Sequence, residues 1–297
     1  MYDVTDPVFR QVILGIGRPD LFYTEFVSVD GLCSKEGKRK ILPHLKFIKK
    51  EKPIIVQFFG SKPENFYKCA QLAKKLGFDG IDINMGCPEK QVERQGAGVR
   101  LILNPKLARD IIMATKKGSG GLPVSVKTRI GYNEINTKEW ISEIIKANPD
   151  AIIVHGRTRK EMSKVPAHWH EIGIAAKLII KAGIVAIGNG DVESIEDGRE
   201  KAKRFGLDGI MIGRGVFKNP WIFNERINIT DITSKHKISL ALRHIKLYEK
   251  FWGKNRNFNN MKKFFKVYIS LWPGAKSLRN RLMSCHNYSE AQEILTS

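Results

Sequence analysis

The sequence predicts an α/β fold, a (β/α)8 TIM barrel followed by a small all-α C-terminal domain, on three observations. Short β-branched runs alternate with amphipathic helical patterns through residues 1–228, and such alternation means parallel strands joined by crossover helices. Three of the units resemble one another: Gly77-Phe78-Asp79-Gly80-Ile81-Asp82-Ile83-Asn84, Asn148-Pro149-Asp150-Ala151-Ile152-Ile153-Val154-His155 and Gly206-Leu207-Asp208-Gly209-Ile210-Met211-Ile212-Gly213. Recurrent units with nearly continuous apolar strands favour a closed barrel over an open sheet. From 229 to 297 the pattern is helical only, marking a second domain.

In chain order, Thr5-Asp6-Pro7 opens a helix, with an N-cap candidate and then proline in the first turn. Strands are expected at 21–27, 54–59, 80–84, 123–128, 151–155, 184–188 and 209–213, and helices at 63–76, 105–117, 137–147, 169–182 and 194–205. Gly77 and Gly206 suit helix C-caps, and the Asp after each suits the turn into the next strand. Seven strands leave an eight-stranded barrel one short. The expectation is a short apolar strand belonging before Met1, and an open seam in the barrel if the chain starts there. Four helices are expected in the tail, at 235–252, 258–270, 275–284 and 289–295.

A chain of 297 residues with 42% hydrophobic and 27% charged residues is long enough and apolar enough for a barrel-sized core. No apolar run reaches membrane-spanning length and Met1 heads no signal-peptide pattern, so a cytoplasmic protein is expected, with no membrane partner. Cys33, Cys69, Cys87 and Cys285 form no C-x-x-C pair, so reduced thiols are expected and neither a disulfide framework nor a metal site. A net charge of +21 points to a polyanion, with nucleic acid as the leading partner. Residues 235–281 hold thirteen Lys or Arg against one acidic residue, Glu249, so over half of the charge lies there. The aromatics interleaved with these bases suit base or sugar packing, although at helical spacing most belong to the core of a small bundle.

A barrel delivers the last residues of every strand to one face. Here these are Gln57, Asn84, Lys127, Arg129, His155, Asn189 and Arg214, polar groups ending apolar strands. Gly188-Asn189-Gly190-Asp191 and Gly213-Arg214-Gly215 follow the last two strands, where glycine lets backbone N–H groups approach a phosphate and Arg214 adds charge. A phosphate-bearing cofactor is expected there. Lys127 and His155 can hydrogen-bond an electron-rich ring, and Gln57 can offer a donor and an acceptor to its edge. Asn84 lies three residues before Cys87 and can orient substrate or cofactor. A thiol with a pKa near about 8.5 is mostly protonated at neutral pH, so Cys87 suits a general acid better than a nucleophile.

Asn84-Met85-Gly86-Cys87-Pro88, Val126-Lys127-Thr128-Arg129, His155-Gly156-Arg157-Thr158, Gly188-Asn189-Gly190-Asp191 and Gly213-Arg214-Gly215-Val216-Phe217-Lys218-Asn219-Pro220-Trp221 together resemble the tRNA-dihydrouridine synthase family. Val4-Thr5-Asp6, Phe9-Arg10 and residues 25–28 match as well, and Leu271-Trp272-Pro273-Gly274-Ala275-Lys276 is similar to the bacterial B-type branch. The resemblance implies an FMN-binding barrel over 1–228 and a helical tRNA-binding domain over 229–297, in a monomeric flavoprotein. It implies that NADPH (or NADH) reduces the flavin, that hydride passes to C6 of a tRNA uracil, and that Cys87 protonates C5. Flavin contacts are implied for Met1, Gln57, Asn84, Lys127 and His155, phosphate contacts for Asn189, Gly190, Asp191, Gly213 and Arg214, and substrate contacts for Arg129 and Arg157. The uridine must leave its stack to reach the barrel mouth.

Two departures from the family pattern stand out. Met1-Tyr2-Asp3 replaces a usually smaller stretch over the flavin, behind which the family's first strand is absent. Gly98-Val99-Arg100 replaces a stretch normally small and uncharged. Two alternatives compete with the family reading. An FMN barrel oxidoreductase of the dihydroorotate or dihydropyrimidine dehydrogenase type explains the glycine loops but leaves the basic tail without a role. A truncated, non-catalytic tRNA-binding protein explains the tail without the chemistry.

Overall fold

The structure, a computed structural model, describes residues 3–297. Seven strands form one parallel sheet in the order β1 to β7: Phe22–Ser28, Ile54–Phe59, Gly80–Met85, Val124–Arg129, Ala151–His155, Val185–Asn189 and Gly209–Met211. Helices Pro63–Leu76, Pro105–Ser119, Thr137–Ile145, Trp169–Lys181 and Ile195–Phe205 connect them, giving an α/β, TIM-barrel-like fold. Among the described residues β1 pairs only with β2 and β7 only with β6. At that end all of β7 is half-buried and Val185 of β6 is 45% exposed. Met1, one of the residues implied in flavin binding, lies outside the described residues.

The three similar units turn out to be one device used three times. The carboxylate of Asp79 accepts from Ile54 N at 2.8 Å, that of Asp150 from Val124 N at 2.7 Å, and that of Asp208 from Ala186 N at 2.8 Å. Each aspartate's own N–H donates back to the carbonyl of the same residue, at 3.0, 2.8 and 3.0 Å. An acidic residue in the turn before one strand thus brackets the start of the strand beside it, at its first residue for Ile54 and Val124 and its second for Ala186. Before Asp79 and Asp208 the helices end on Gly77 and Gly206, both left-handed, as expected. Before Asp150 the left-handed residue is Asn148 at φ 48°, a side chain that tolerates this region.

The parallel register follows from these brackets. It places Gln57 opposite Asp82, Asn84 opposite Lys127, Arg129 opposite His155, and His155 opposite Asn189. Alternation then gives these residues one face of the sheet, while Val56, Ile81, Ile83, Val126 and Ile152 on the other pack under the helices, fully buried. Each such side chain contributes about 2 kcal/mol. Trp140, 1% exposed, donates from Nε1 to Thr128 Oγ1 at 2.8 Å, and that hydroxyl donates to Met85 O at 3.2 Å. Helix Thr137–Ile145 is thereby tied to the tips of β3 and β4.

The chain divides into two compact units, Met1–Asp6 with Asp20–Gly213, and Pro7–Pro19 with Arg214–Ser297. The expected N-terminal helix, Pro7–Leu14, thus groups with the C-terminal helices Ser234–Trp252, Asn259–Tyr268, Ala275–Met283 and Tyr288–Thr296. In that unit Phe9 stacks on Phe264 at 5.5 Å between centroids, with His244 4.6 Å from Phe264. Tyr248, Trp252, Phe264, Phe265 and Tyr268 are all buried, so these aromatics serve the bundle core, as their helical spacing suggests. Helices Val29–Cys33, Lys35–Ile41 and Lys90–Arg94 escaped sequence reading; all are short, and the second has no buried residue to generate an apolar period.

Asp150→Ala should lower the unfolding free energy by about 1–3 kcal/mol, because it strands the Val124 N–H at a buried strand start. Urea denaturation checks this, and a loss below about 0.5 kcal/mol would mean that the bracket is not what holds β4 against β5.

Candidate active site

The site-facing side of the sheet carries a ladder of polar side chains. Asp82, fully buried in the middle of β3, accepts from Gln57 Nε2 at 2.7 Å and from Ser125 Oγ at 2.5 Å. Gln57 Oε1 in turn accepts from Asn84 Nδ2 at 3.0 Å. Asn84 Oδ1 accepts from Gly86 N at 3.1 Å and Cys87 N at 2.9 Å, bending the chain sharply as it leaves the strand. Since a carboxylate can only accept, Asp82 fixes which way the Gln57 amide points, and Gln57 fixes Asn84. The buried carboxylate therefore reaches the backbone of Cys87 through two oriented amides.

Cys87 is half-buried beyond the tip of β3, against Phe59, Val92 and Ala97. Its carbonyl accepts from Val99 N at 3.1 Å. Gly98, at φ 61°, is required beside it, since a Cβ there would lie 2.7 Å from the Cys87 carbonyl oxygen. Burial pushes the Cys87 thiol up; a hydrogen bond to the Glu89 backbone and the Arg129 charge oppose this and the Glu89 charge adds to it, and the net shift is upward, so the group stays protonated near neutrality.

Two charges within the sheet are perturbed in opposite senses. Burial raises Asp82 to about 6, against stabilisation by Ser125, Gln57 and the Lys127 charge. Burial, with Arg129 nearby, lowers Lys127 to about 8, while Asp82 and Cys87 oppose that shift. Lys127 Nζ donates to Asn189 Oδ1 at 2.9 Å, and Asn189 Nδ2 donates to Met211 O at 2.8 Å, which secures the tip of β6 to short β7. Burial, then the Asp82 charge, also drives the Tyr23 phenol upward.

A second cluster joins the loops after β5 and β6. Arg157, 3% exposed, donates from Nε to Val165 O at 2.6 Å, from Nη1 to His155 Nε2 at 3.2 Å, and from Nη2 to Asp191 Oδ2. Because a guanidinium only donates, His155 Nε2 accepts and its proton sits on Nδ1. The Asp191 carboxylate also accepts from Ala167 N at 2.9 Å. Gly190, at φ 138°, has no room for a side chain, since a Cβ would come within 2.7 Å of Ala167 Cβ and 3.3 Å of the His155 ring. Gly213 has open space around it, with only Asn189 Nδ2 near a would-be Cβ, at 3.9 Å. Arg214 is exposed and begins the second compact unit.

The structure brings Gln57, Asn84 and the Cys87 backbone into one ladder, Lys127 and Asn189 into a hydrogen-bonded pair, and His155, Arg157 and Asp191 into a third cluster. Arg129, 7% exposed, donates to the carbonyls of Gly86 at 2.8 Å, Thr158 at 3.1 Å and Met162 at 3.3 Å, joining the loops after β3 and β5. Sequence reading gave no role to Asp82, Ser125 or Tyr23. A signal existed for Asp82, a charge between Ile81 and Ile83 in a strand otherwise apolar; nothing local distinguishes Ser125. Glu25, placed by sequence in a matching stretch but given no role, is fully buried in β1 with its Oε1 2.5 Å from His44 Nδ1. Among the described residues no helix is long and apolar enough to cross a membrane, and no group of three His, Cys, Asp or Glu is placed to hold a metal ion.

The family described as Dihydrouridine synthase (Dus) matches residues 1–297. A probable tRNA-dihydrouridine synthase of Staphylococcus aureus (strain COL) is 42% identical over 99% of this chain and 90% of its own length. Probable tRNA-dihydrouridine synthase 2 of Bacillus subtilis (strain 168) is 40% identical over 99% of this chain and 91% of its own. Among solved structures, histamine dehydrogenase from Rhizobium sp. 4-9 shares the fold with a TM-score of 0.53 at 14% identity, over 82% of this chain and 47% of that one. With the family match spanning every residue and these two relatives 40% and 42% identical over nearly all of the chain, this protein belongs to the dihydrouridine synthase family.

Proposed function

We propose that this chain reduces the C5=C6 bond of uridines in tRNA to 5,6-dihydrouridine, with FMN held at the mouth of the sheet and Cys87 as the proton donor. The observation that carries the reading is the thiol of Cys87, kept protonated by burial and held in place by a backbone that Asn84, Gln57 and Asp82 orient.

The donor set fits a flavin. A half-buried amine, two oriented amides and an imidazole share one rim of the sheet, and the Gly190 backbone is a close approach that any side chain would fill. Gln57, Asn84, Lys127 and His155 would hold the ring system, and Asn189, Gly190 and Gly213 the phosphate, with Arg214 following in the chain. Asp191 is bound to Arg157 through its carboxylate, so any contact it makes with an anion falls to its backbone. The chemistry such a cofactor supplies when bound is hydride delivery to C6 of the uracil ring, its electrons drawn from NADPH or NADH.

The chain's own part is positional and acid–base. Lys127 places a positive charge where an electron-rich ring would lie, and its lowered pKa leaves it largely charged at neutral pH. As hydride arrives at C6, the Cys87 S–H bond breaks and its proton goes to C5; the thiolate recovers a proton from solvent. Arg129 and Arg157, buried and engaged with loop carbonyls, His155 and Asp191, act in this reading by holding the walls of the site. The helical segment 229–297 supplies tRNA affinity, since nine of the thirteen Lys and Arg in 235–281 are exposed, among them Lys246, Lys250, Lys263 and Lys266.

Mass spectrometry of unmodified tRNA incubated with the FMN-loaded protein and NADPH tests the whole reading, and no dihydrouridine would overturn it. Cys87→Ala should keep flavin absorbance and lose uridine reduction by about 10²–10⁴-fold, the usual share of a general acid; full activity would remove Cys87 from the chemistry. In flavin-free protein Lys127 has a folded pKa near 8 against 10.5 unfolded. Between these values the unfolded state binds more protons, so the unfolding free energy of wild type should rise relative to Lys127→Met as pH increases from about 8 to 10.5. Parallel pH profiles would contradict the burial of that amine. Binding of tRNA should weaken steeply with salt, and Lys263→Gln with Lys266→Gln should flatten the log–log slope by about one for each phosphate that is no longer neutralised. An unchanged slope would put the tRNA on another surface.

A further inference from the structure

Outside the candidate active site, two thiols meet. Cys33 ends the short helix Val29–Cys33 that follows β1, and Cys69 lies in helix Pro63–Leu76, which follows β2. Their Sγ atoms are 4.0 Å apart. Cys33 is exposed, whereas Cys69 is 2% exposed with its thiol directed at Val29 O, 3.7 Å away. The helices that carry them are already fastened together: Asn65 Nδ2 donates to Asp30 Oδ1 at 2.6 Å, and Lys62 pairs with Asp30 at 4.0 Å. Thiols held this way need side-chain rotation, and no separation of the elements, to reach bonding distance.

We propose that Cys33 and Cys69 form a peroxide-sensitive dithiol, closing to an intramolecular disulfide that staples the helix after β1 to the helix after β2. The inference rests on this geometry alone and is independent of the uridine chemistry. The exposed sulfur of Cys33 attacks hydrogen peroxide; an S–O bond forms, the O–O bond breaks and one water leaves, giving the sulfenic acid. Cys69 then attacks Cys33 Sγ, an S–S bond forms, the S–O bond breaks, and the Cys69 proton leaves with the hydroxyl as a second water. Two thiols lose two electrons and one peroxide becomes two waters. Cys69 is buried and Cys33 exposed, and burial, Cys33 and Asp30 all hold the Cys69 thiol up, so Cys33 is the sulfur that peroxide oxidises first.

The staple has a structural consequence because β1 is an edge strand with β2 as its single strand neighbour among the described residues. A covalent link between the helices that follow these two strands removes loop-closure freedom from the unfolded chain. The full-length protein, reduced and then treated with a small excess of hydrogen peroxide, can be alkylated under denaturing conditions and mapped by peptide mass spectrometry. The expected product is a Cys33–Cys69 linked peptide, with a thermal midpoint raised by about 5 °C and restored by dithiothreitol. Cys33→Ser should leave Cys69 as a free thiol after the same treatment, and Cys69→Ala, which tests the pair where serine would bury a hydroxyl, should carry Cys33 on to sulfinic acid. Wild-type protein that gives Cys33 sulfinic acid with Cys69 still alkylated, or links Cys33 only between molecules, would overturn the proposal.

Discussion

The register of the parallel sheet is the constraint on which everything else in this protein rests, and three aspartates help to set it. Each bracket, at Asp79, Asp150 and Asp208, joins a turn to the start of the adjacent strand through two hydrogen bonds. A slip of one residue would break them and turn every side chain to the opposite face. Gln57, Asp82, Asn84, Lys127, His155 and Asn189 would then lie under the helices, unpaired. The bracket therefore has a functional effect at the far end of the strand, where neighbouring tips must present the right face together.

What the register assembles is an electrostatic pair spread over two strands, Asp82 fully buried and Lys127 half-buried. Asp82 and Lys127 are each pushed toward neutrality by burial, and each is drawn back by the other's charge. Between about pH 6 and 8 both carry charge, a costly arrangement that remains because hydrogen bonds from Gln57 and Ser125 and the bond to Asn189 satisfy it. The bond from Gln57 also orients the amides that hold Cys87, so the burial of Asp82 and the ordering of the Cys87 backbone belong to one ladder. Such a network is sensitive as a unit, since an amide that flips anywhere along it leaves a buried donor facing a donor.

The helical unit follows a different logic. Its interior is aromatic, with Phe9, His244, Phe264 and Tyr268 in mutual contact and His244 Nδ1 2.8 Å from the Tyr268 hydroxyl. Burial alone lowers His244 to about 3, so this histidine is a neutral core residue at physiological pH. Packing the aromatics inward leaves the lysines and arginines outside, which turns a core requirement into a basic surface.

Much of the fold was legible because it is local. The strand and helix periods, the glycine C-caps at Gly77 and Gly206, and the polar residues ending apolar strands depend on neighbours a few positions away, and the sequence alone determined them. The motif set around Cys87, Lys127, His155 and Asn189 determined the family in the same way. The tertiary structure alone decided that Asp82 is the buried origin of the amide ladder and that Arg129 and Arg157 hold loops. It alone grouped helix Pro7–Leu14 with the C-terminal helices and set Cys33 against Cys69. Each of these joins residues that are distant in the chain. Asp82 meets Gln57 and Ser125 across strand crossovers, Arg157 meets Asp191 across a helix, and Phe9 meets Phe264 from opposite ends of the sequence. Spacing along a chain carries no record of such meetings; they follow from which surfaces can be buried together.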